Sequence, residues 1–208
     1  MIAMVDYGMG NRRSVVKAFE RVDGGLVATA DHEQIRAAEG LVVPGVGAFP
    51  EAMRRLRALG LDEVVRERAD AGVPVLGLCL GMQLLFERSV EHEGSDGIGL
   101  LAGTIVRLDA AGLKLPHIGW NAVRWTRPSP LVQGLPDPAA FYHVHSFVVA
   151  PADDAIVLGM GAYGSPFVSF VQRGTIYGAQ CHPEKSSTYG LALLANFVGI
   201  CAAVHAAS

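Results

Sequence analysis

Charge is scarce in this sequence. Lys, Arg, Asp and Glu make up 18% of its 208 residues, and 17 basic against 20 acidic side chains leave a formal charge of −3. That is too little of either sign to expect a nucleic-acid or membrane-surface partner. Cysteine is scarcer still. Cys79, Cys181 and Cys201 are odd in number and far apart, and no secretory leader is recognised ahead of them, so a reducing cytoplasm is expected rather than a disulfide framework. No uninterrupted apolar run approaches the ~20 residues of a membrane span, and repeats, linkers and low-complexity segments are lacking. What remains is half apolar and carries 25 glycines, at a length where roughly 70% of the chain's surface is buried on folding. A single domain over residues 1–208, with a full core that needs neither disulfide nor metal, is the expectation.

The first half alternates apolar runs with helical patterns. Residues 1–7 read as a strand, followed by the turn Gly8-Met9-Gly10-Asn11 and then by Val15, Val16, Phe19 and Val22 at helical spacing. Residues 40–43 form a second run that stops at Pro44-Gly45-Val46-Gly47, with Met53, Leu56, Leu59 and Leu61 suggesting the next helix. Residues 73–78 form a third, with Leu84, Leu85 and Phe86 following in helical register. Strands this apolar predict an α/β fold with a mostly parallel central sheet and helices on both faces. The second half is β-rich, with runs at 100–108, 117–125, 142–149, 155–159, 167–172 and 176–180. A last helix is expected from about Ser187 through Leu191, Leu194, Phe197, Val198 and Cys201, fraying over 202–208.

Chemistry concentrates at Gly77-Leu78-Cys79-Leu80-Gly81, between a buried strand and a helix. Flanking glycines allow the sharp turn of a nucleophile elbow, which lifts a reactive atom off the sheet and frees backbone N–H groups. A free thiol is a few per cent thiolate at neutral pH, and helix N–H groups or a neighbouring imidazole raise that share. The plainer reading of Cys79 is a small buried hydrophobe. His182-Pro183-Glu184, after one strand and before the last helix, supplies an imidazole base and a carboxylate to orient it. Read plainly, it is a turn into a helix. The two motifs together arise by chance in about one chain in a thousand of this composition, which favours a Cys79, His182 and Glu184 triad. Val46 and Gly47 sit at the end of another predicted parallel strand, on the same sheet edge, and with the N–H of Leu80 form a candidate oxyanion hole. Gln83, one helical turn after Cys79, is placed to face the same pocket. Gly8-Met9-Gly10 has Arg13 where a dinucleotide fingerprint needs a third glycine, so no nucleotide cofactor is expected.

The residues 77–83 with His182-Pro183-Glu184 resemble the triad glutamine amidotransferases. Together with Asp6-Tyr-Gly-Met-Gly-Asn11, Pro44-Gly-Val-Gly-Ala-Phe49, His117-Ile-Gly-Trp-Asn121 and the Lys185-Ser-Ser187 that follows Glu184, they resemble the branch that forms the glutaminase subunits of imidazole glycerol phosphate synthases. The likeness runs from Met1 to about Cys201. It implies a class-I amidotransferase fold and a cysteinyl thioester route from L-glutamine to glutamate, without a cofactor. Gln83 and Glu91 would hold the substrate, helped by the backbone at Ser146 and Phe147. Ammonia would pass to a (βα)8-barrel cyclase in a heterodimer, which makes imidazole glycerol phosphate and the aminoimidazole carboxamide ribonucleotide of histidine biosynthesis. Trp120, Asn121, Tyr142 and Lys185 would meet that partner, and the Gly45-Val46 peptide would reorient when the partner holds its substrate. The chain departs from the family pattern at Arg12, His143, Phe147 and Cys181, none of them a triad position. The pyridoxal-phosphate and anthranilate branches share the triad but differ at the Gly-Val-Gly turn and at Trp120-Asn121.

Three other readings compete. His143 and His145 on one side of a strand, with Cys181 and His182, have the residue types of a metal site. The triad could act on other amides, leaving Gln83 without a role. A scaffolding subunit with a merely buried Cys79 would carry no chemistry.

Overall fold

The computed structural model describes residues 1–207. The first half runs β1 (Ile2–Val5), α1 (Arg12–Glu20), β2 (Leu26–Thr29), α2 (His32–Arg36), β3 (Gly40–Val43), α3 (Phe49–Ala58), α4 (Leu61–Asp70), β4 (Val75–Leu78) and α5 (Leu80–Leu84). Every residue of β1, β3 and β4 is buried, because both sides of each strand are apolar and both are covered. Ile2, Met4, Val42, Leu76 and Leu78 meet Val15 and Phe19 of α1 together with Leu193, Leu194 and Phe197 near the C-terminus. Ala3, Val5, Leu41, Val43 and Val75 meet Ile35 of α2, Met53 and Leu56 of α3, and Val64 and Val65 of α4. Each fully buried Val, Leu, Ile or Phe contributes roughly 1.5–3 kcal/mol, so these two layers hold the sheet in place.

The second half runs β5 (Phe86–Ser89), β6 (Ser95–Asp96), β7 (Leu101–Arg107), β8 (His117–Trp125), β9 (Ala139–His145), β10 (Phe147–Pro151), β11 (Val157–Tyr163), β12 (Ser165–Arg173), β13 (Ile176–Ala179) and α6 (Ser187–Ala207). The main sheet has the order β2-β1-β3-β4-β13-β12-β11-β8-β9. It is parallel from β2 to β13 and antiparallel from there outward. The sheet is therefore mixed rather than mostly parallel, because the β-rich half extends it edge-on. A smaller sheet, β10-β7-β5-β6, stands beside it.

Several expectations need correction. β2 and α2 were not anticipated: β2 is an edge strand, and Val27 and Ala28 in its middle are exposed. The helical pattern at 53–61 belongs to two helices separated at Gly60, whose φ of 64° only glycine adopts freely. The helix after the elbow stops at Leu84, and Phe86 begins β5. The run 142–149 is two strands. His145 pairs with His117 in the large sheet while Phe147 pairs with Arg107 in the small one, so the chain changes sheets at Ser146. The last helix does not fray at 202 but continues to Ala207, and Ser208 lies outside the described residues. Its 21 residues have the length and mean hydropathy, 1.8, of a membrane span, although no uninterrupted run stood out. Gly190, Leu193, Leu194, Phe197 and Cys201 are buried against the rest of the chain, as in the core helix of a globular fold.

Candidate active site

Cys79 lies between β4 and α5 with φ 54° and ψ −112°. For a residue with a Cβ this backbone is strained by about 1–3 kcal/mol. Strand pairing holds it there, the Cys79 N–H donating to the Ala179 carbonyl at 2.7 Å. The turn is possible only because two neighbours lack side chains. A Cβ on Gly81 would overlap the Val43 carbonyl oxygen, and one on Gly45 would lie 2.7 Å from the Tyr7 hydroxyl and 2.9 Å from the Leu80 Cβ. The elbow and the 44–47 turn thus press against each other, braced by the buried Tyr7, whose hydroxyl donates to the Pro44 carbonyl at 2.6 Å. As the first residue of α5, Leu80 has an N–H with no acceptor inside the helix.

His182 enters from the end of β13. Its N–H donates to the Tyr142 carbonyl at 2.8 Å, and its own carbonyl accepts from the Ser186 hydroxyl at 2.7 Å. With the backbone held at both ends, Nδ1 meets Glu184 Oε1 at 2.9 Å, and both side chains are almost wholly buried. His182 and the Cys79 sulfur line the same cleft, close enough for the sulfur to act on the imidazole's protonation. Burial alone would lower the imidazole's pKa, but interaction with the Cys79 sulfur and the bond to Glu184 overcome it and raise the value to about 10. The imidazole of His182 therefore carries its second proton at neutral pH. Glu184 Oε2 is buried and has no hydrogen-bond partner.

These groups open into a cleft of about 320 Å3 whose walls include Val46, Gly47, Cys79, Leu80, Gln83, Glu91, Ser146, Phe147, His182 and Lys185. All the residues expected at the oxyanion hole and around the substrate are thus in one place. The local bonds refine their parts. Glu91 is no loose surface charge: Oε2 accepts the Phe49 N–H at 2.8 Å, anchoring the start of α3. Gln83 is buried, and its Nε2 donates to the Phe147 carbonyl at 3.1 Å and to Gln180 Oε1 at 2.9 Å, leaving Oε1 for a ligand. The Ser146 carbonyl accepts from the Leu108 N–H at 2.9 Å. A larger surface cleft, about 690 Å3 beside Trp125, Arg127 and Asp137, shares no wall with this one and holds neither a thiol nor an imidazole.

Comparison with known proteins decides the family. The model for glutamine amidotransferase class-I matches residues 3–201. The chain belongs to that family. Among curated relatives, imidazole glycerol phosphate synthase subunit HisH of Moorella thermoacetica is 48% identical over 196 residues, covering 94% of this chain and 93% of that protein. The Bacillus cereus subunit HisH is 48% identical over 200 residues, covering 96% and 95%. A crystal structure of a glutamine amidotransferase superposes with a TM-score of 0.77 at 20% identity, covering 97% of this chain and 100% of that one. A chain in the structure of PurLQS from Thermotoga maritima gives 0.73 at 18%, covering 96% and 97%. These two share the fold.

In this amidotransferase chain the residues expected at a partner face also cluster. Trp120 and Ile118 on β8 are 56% and 60% exposed. Trp120 stands edge-on to Tyr142 of β9 with ring centroids 6.1 Å apart, and Lys185 Nζ lies 5.9 Å from the Tyr142 ring centre. Asn121 differs: its Nδ2 donates to the Ala162 carbonyl at 2.7 Å, so its amide ties β8 to β11. The four residues offered for a metal do not converge. His143 Nδ1 donates to the Phe141 carbonyl at 3.0 Å and Nε2 accepts from the Ser169 hydroxyl at 2.9 Å, leaving neither nitrogen free. Instead His143 packs with His117 and His145 in a buried cluster. His145 Nδ1 donates to the Phe147 carbonyl at 3.1 Å, so its Nε2 is the acceptor for His117 Nδ1 at 3.0 Å. Burial, and then neighbouring imidazole charge, lowers His143 to about 3 and His145 to about 4. Sequence reasoning put His143 and His145 on one side of a strand but passed over His117 as their partner, and over Gln180 beside the sulfur. Gln180 could have been noticed as an amide immediately before Cys181 and His182 at the end of an apolar strand.

Proposed function

We propose that this protein is the glutaminase subunit of an imidazole glycerol phosphate synthase, a single domain working in the cytoplasm on L-glutamine. The observation that carries the reading is the Cys79 thiol and the Glu184-bonded His182 imidazole together at the wall of a cleft lined by Gln83 and Glu91.

Cys79 Sγ attacks the side-chain amide carbon of glutamine while the carbonyl π electrons move onto oxygen. N–H groups of Leu80 and of the Val46-Gly47 turn receive that oxyanion. As the carbon–nitrogen bond breaks, His182 delivers a proton to the departing nitrogen, and ammonia leaves behind a thioester on Cys79. His182, now neutral, takes a proton from water, whose oxygen attacks the thioester to release glutamate and expel the Cys79 sulfur, with the proton left on the imidazole. Glu184 holds the ring so that Nε2 faces the chemistry. Gln83 Oε1 and Glu91 Oε1, the latter 3.9 Å from His92 Nε2, are suited to the ammonium of glutamine, and the backbone at Ser146 and Phe147 borders it.

Free ammonia becomes ammonium in water and ceases to be a nucleophile, so it has to be handed over directly. The exposed Trp120 and Lys185 and the half-buried Tyr142 between them, with Lys185 at the cleft itself, suit docking of a (βα)8-barrel cyclase in a heterodimer, with Asn121 bracing that face. The test is glutamate release by the chain with and without such a cyclase and its nucleotide substrate. The complex should hydrolyse glutamine, and Cys79→Ala should lose about 10³-fold or more in rate. A mutant as active as wild type overturns the mechanism.

A further inference from the structure

Gln180 follows the last residue of β13 and is completely buried. Its backbone N–H donates to the Ser169 carbonyl at 2.8 Å, which holds the residue at the sheet end. Its side chain lies between Gln83 and Cys79, with Oε1 2.9 Å from Gln83 Nε2 and Nε2 3.9 Å from Cys79 Sγ. A chain of fixed partners sets which way each amide faces. The Phe147 carbonyl only accepts, so the Gln83 atom beside it must be nitrogen. That same nitrogen also meets Gln180, which must answer with oxygen. The nitrogen of Gln180 is then the atom turned to the sulfur. A flip of Gln83 would set oxygen against oxygen, and a flip of Gln180 would set nitrogen against nitrogen, each in a dry interior at the cost of a lost bond and a repulsion.

We propose that Gln180 is a positioning residue that donates an N–H to the Cys79 sulfur, oriented by a relay from the Phe147 carbonyl through Gln83. The proposal rests on the reading of Cys79 as the nucleophile. An N–H aimed at sulfur favours the thiolate over the thiol, since a donor binds an anion more strongly than a neutral atom. It also opposes rotation of the side chain toward the Val144 carbonyl, 3.7 Å from the sulfur, an acceptor that favours the thiol. The donor comes from the strand that carries the Ala179 carbonyl, so β13 holds Cys79 by both its backbone and its side chain. A bond from Gln83 to this residue also lets substrate at Gln83 Oε1 bear on the sulfur.

The test is the rate of Cys79 alkylation by iodoacetamide across pH, with glutamine protection identifying the site and thermal melting checking the fold. Gln180→Met removes the donor at nearly the same size, and Gln180→Glu sets an oxygen against the sulfur. Loss of one N–H to an anion should slow neutral-pH alkylation by about fivefold in the Met variant. The pH profile should move upward there and further upward in the Glu variant. A second measurement needs no change at Gln180: its side-chain amide 15N–1H resonances should titrate in wild type and stay flat in Cys79→Ala. Wild-type profiles in folded variants, or flat resonances in wild type, overturn the positioning role alone. Wild type with no glutamine-protected alkylation overturns both this role and the nucleophile reading.

Discussion

Acid should destabilise this fold through its buried histidines. His143 and His145 have folded pKa values of about 3 and about 4 against about 6.5 in an unfolded chain. Their folded values are depressed, so the unfolded state binds more protons between those limits, and stability is lost as pH falls below about 6.5. Going from about pH 7 to about pH 5 costs roughly 2 kcal/mol for each. His117, also lowered by burial, adds in the same direction. His182 opposes them. Its folded value of about 10 lies above the unfolded one, so its stabilisation is complete below about 6.5 and grows by about 1 kcal/mol over the same interval. The net loss is about 3 kcal/mol, out of the ~5–15 kcal/mol typical of a domain. The structural cause is specific: a proton added at His145 Nε2 would confront the His117 Nδ1–H that now donates to it. Urea unfolding followed by tryptophan fluorescence should show a midpoint lower by about 1 M at the acid pH. In His143→Phe the acid-dependent loss should shrink by about 2 kcal/mol, whatever the variant's absolute stability. Equal wild-type midpoints at the two pH values, or an undiminished loss in the variant, would refute the argument.

Further expectations concern the elbow, the docking face and the other thiols. Gly81→Ala should destabilise by about 3 kcal/mol or more, since its Cβ meets backbone that cannot yield, and an unchanged melting temperature would contradict the close packing of the two turns. Trp120→Ala should weaken cyclase binding by about 30-fold, the effect of removing an aromatic anchor worth ~2 kcal/mol, with glutaminase protein still folded; calorimetric titration reads it, and wild-type affinity would remove Trp120 from the interface. Cys181 and Cys201 are buried, and burial raises both, Cys201 to about 12 with help from the Glu39 charge. Brief alkylation of the native protein should therefore leave one adduct by mass spectrometry, at Cys79, and labelling of Cys181 at a similar rate would count against its enclosure.

The first half of the fold was legible because burial on both faces forces unbroken apolar runs, as in β1, β3 and β4. Edge position hid β2: Val27 and Ala28 are exposed, so Leu26–Thr29 carries no run. The switch at Ser146 was hidden for a different reason. No turn residue marks it, and the break arises from pairing with two different partners, His117 and Arg107. The elbow and the His182-Pro183-Glu184 turn could be read because local geometry demands glycines and proline there. Gln180, and the joining of His117 to His143 and His145, could not, because their meaning lies in bonds made across strands far apart in sequence. Glu91 was placed by family likeness alone, and its bond to the Phe49 N–H is a contact no spacing announces.

One strand, β9, faces two tasks at once. Tyr142 turns its ring toward the proposed docking face while its carbonyl holds the His182 N–H, and two residues on, the Val144 carbonyl touches the sulfur. Recognition and reactivity are thus written on alternate atoms of a single backbone. Retargeting this subunit to a foreign cyclase by exchanging surface side chains on that strand will retune the nucleophile as well, and a graft that preserves turnover has to carry the strand's carbonyl positions along with its outward residues.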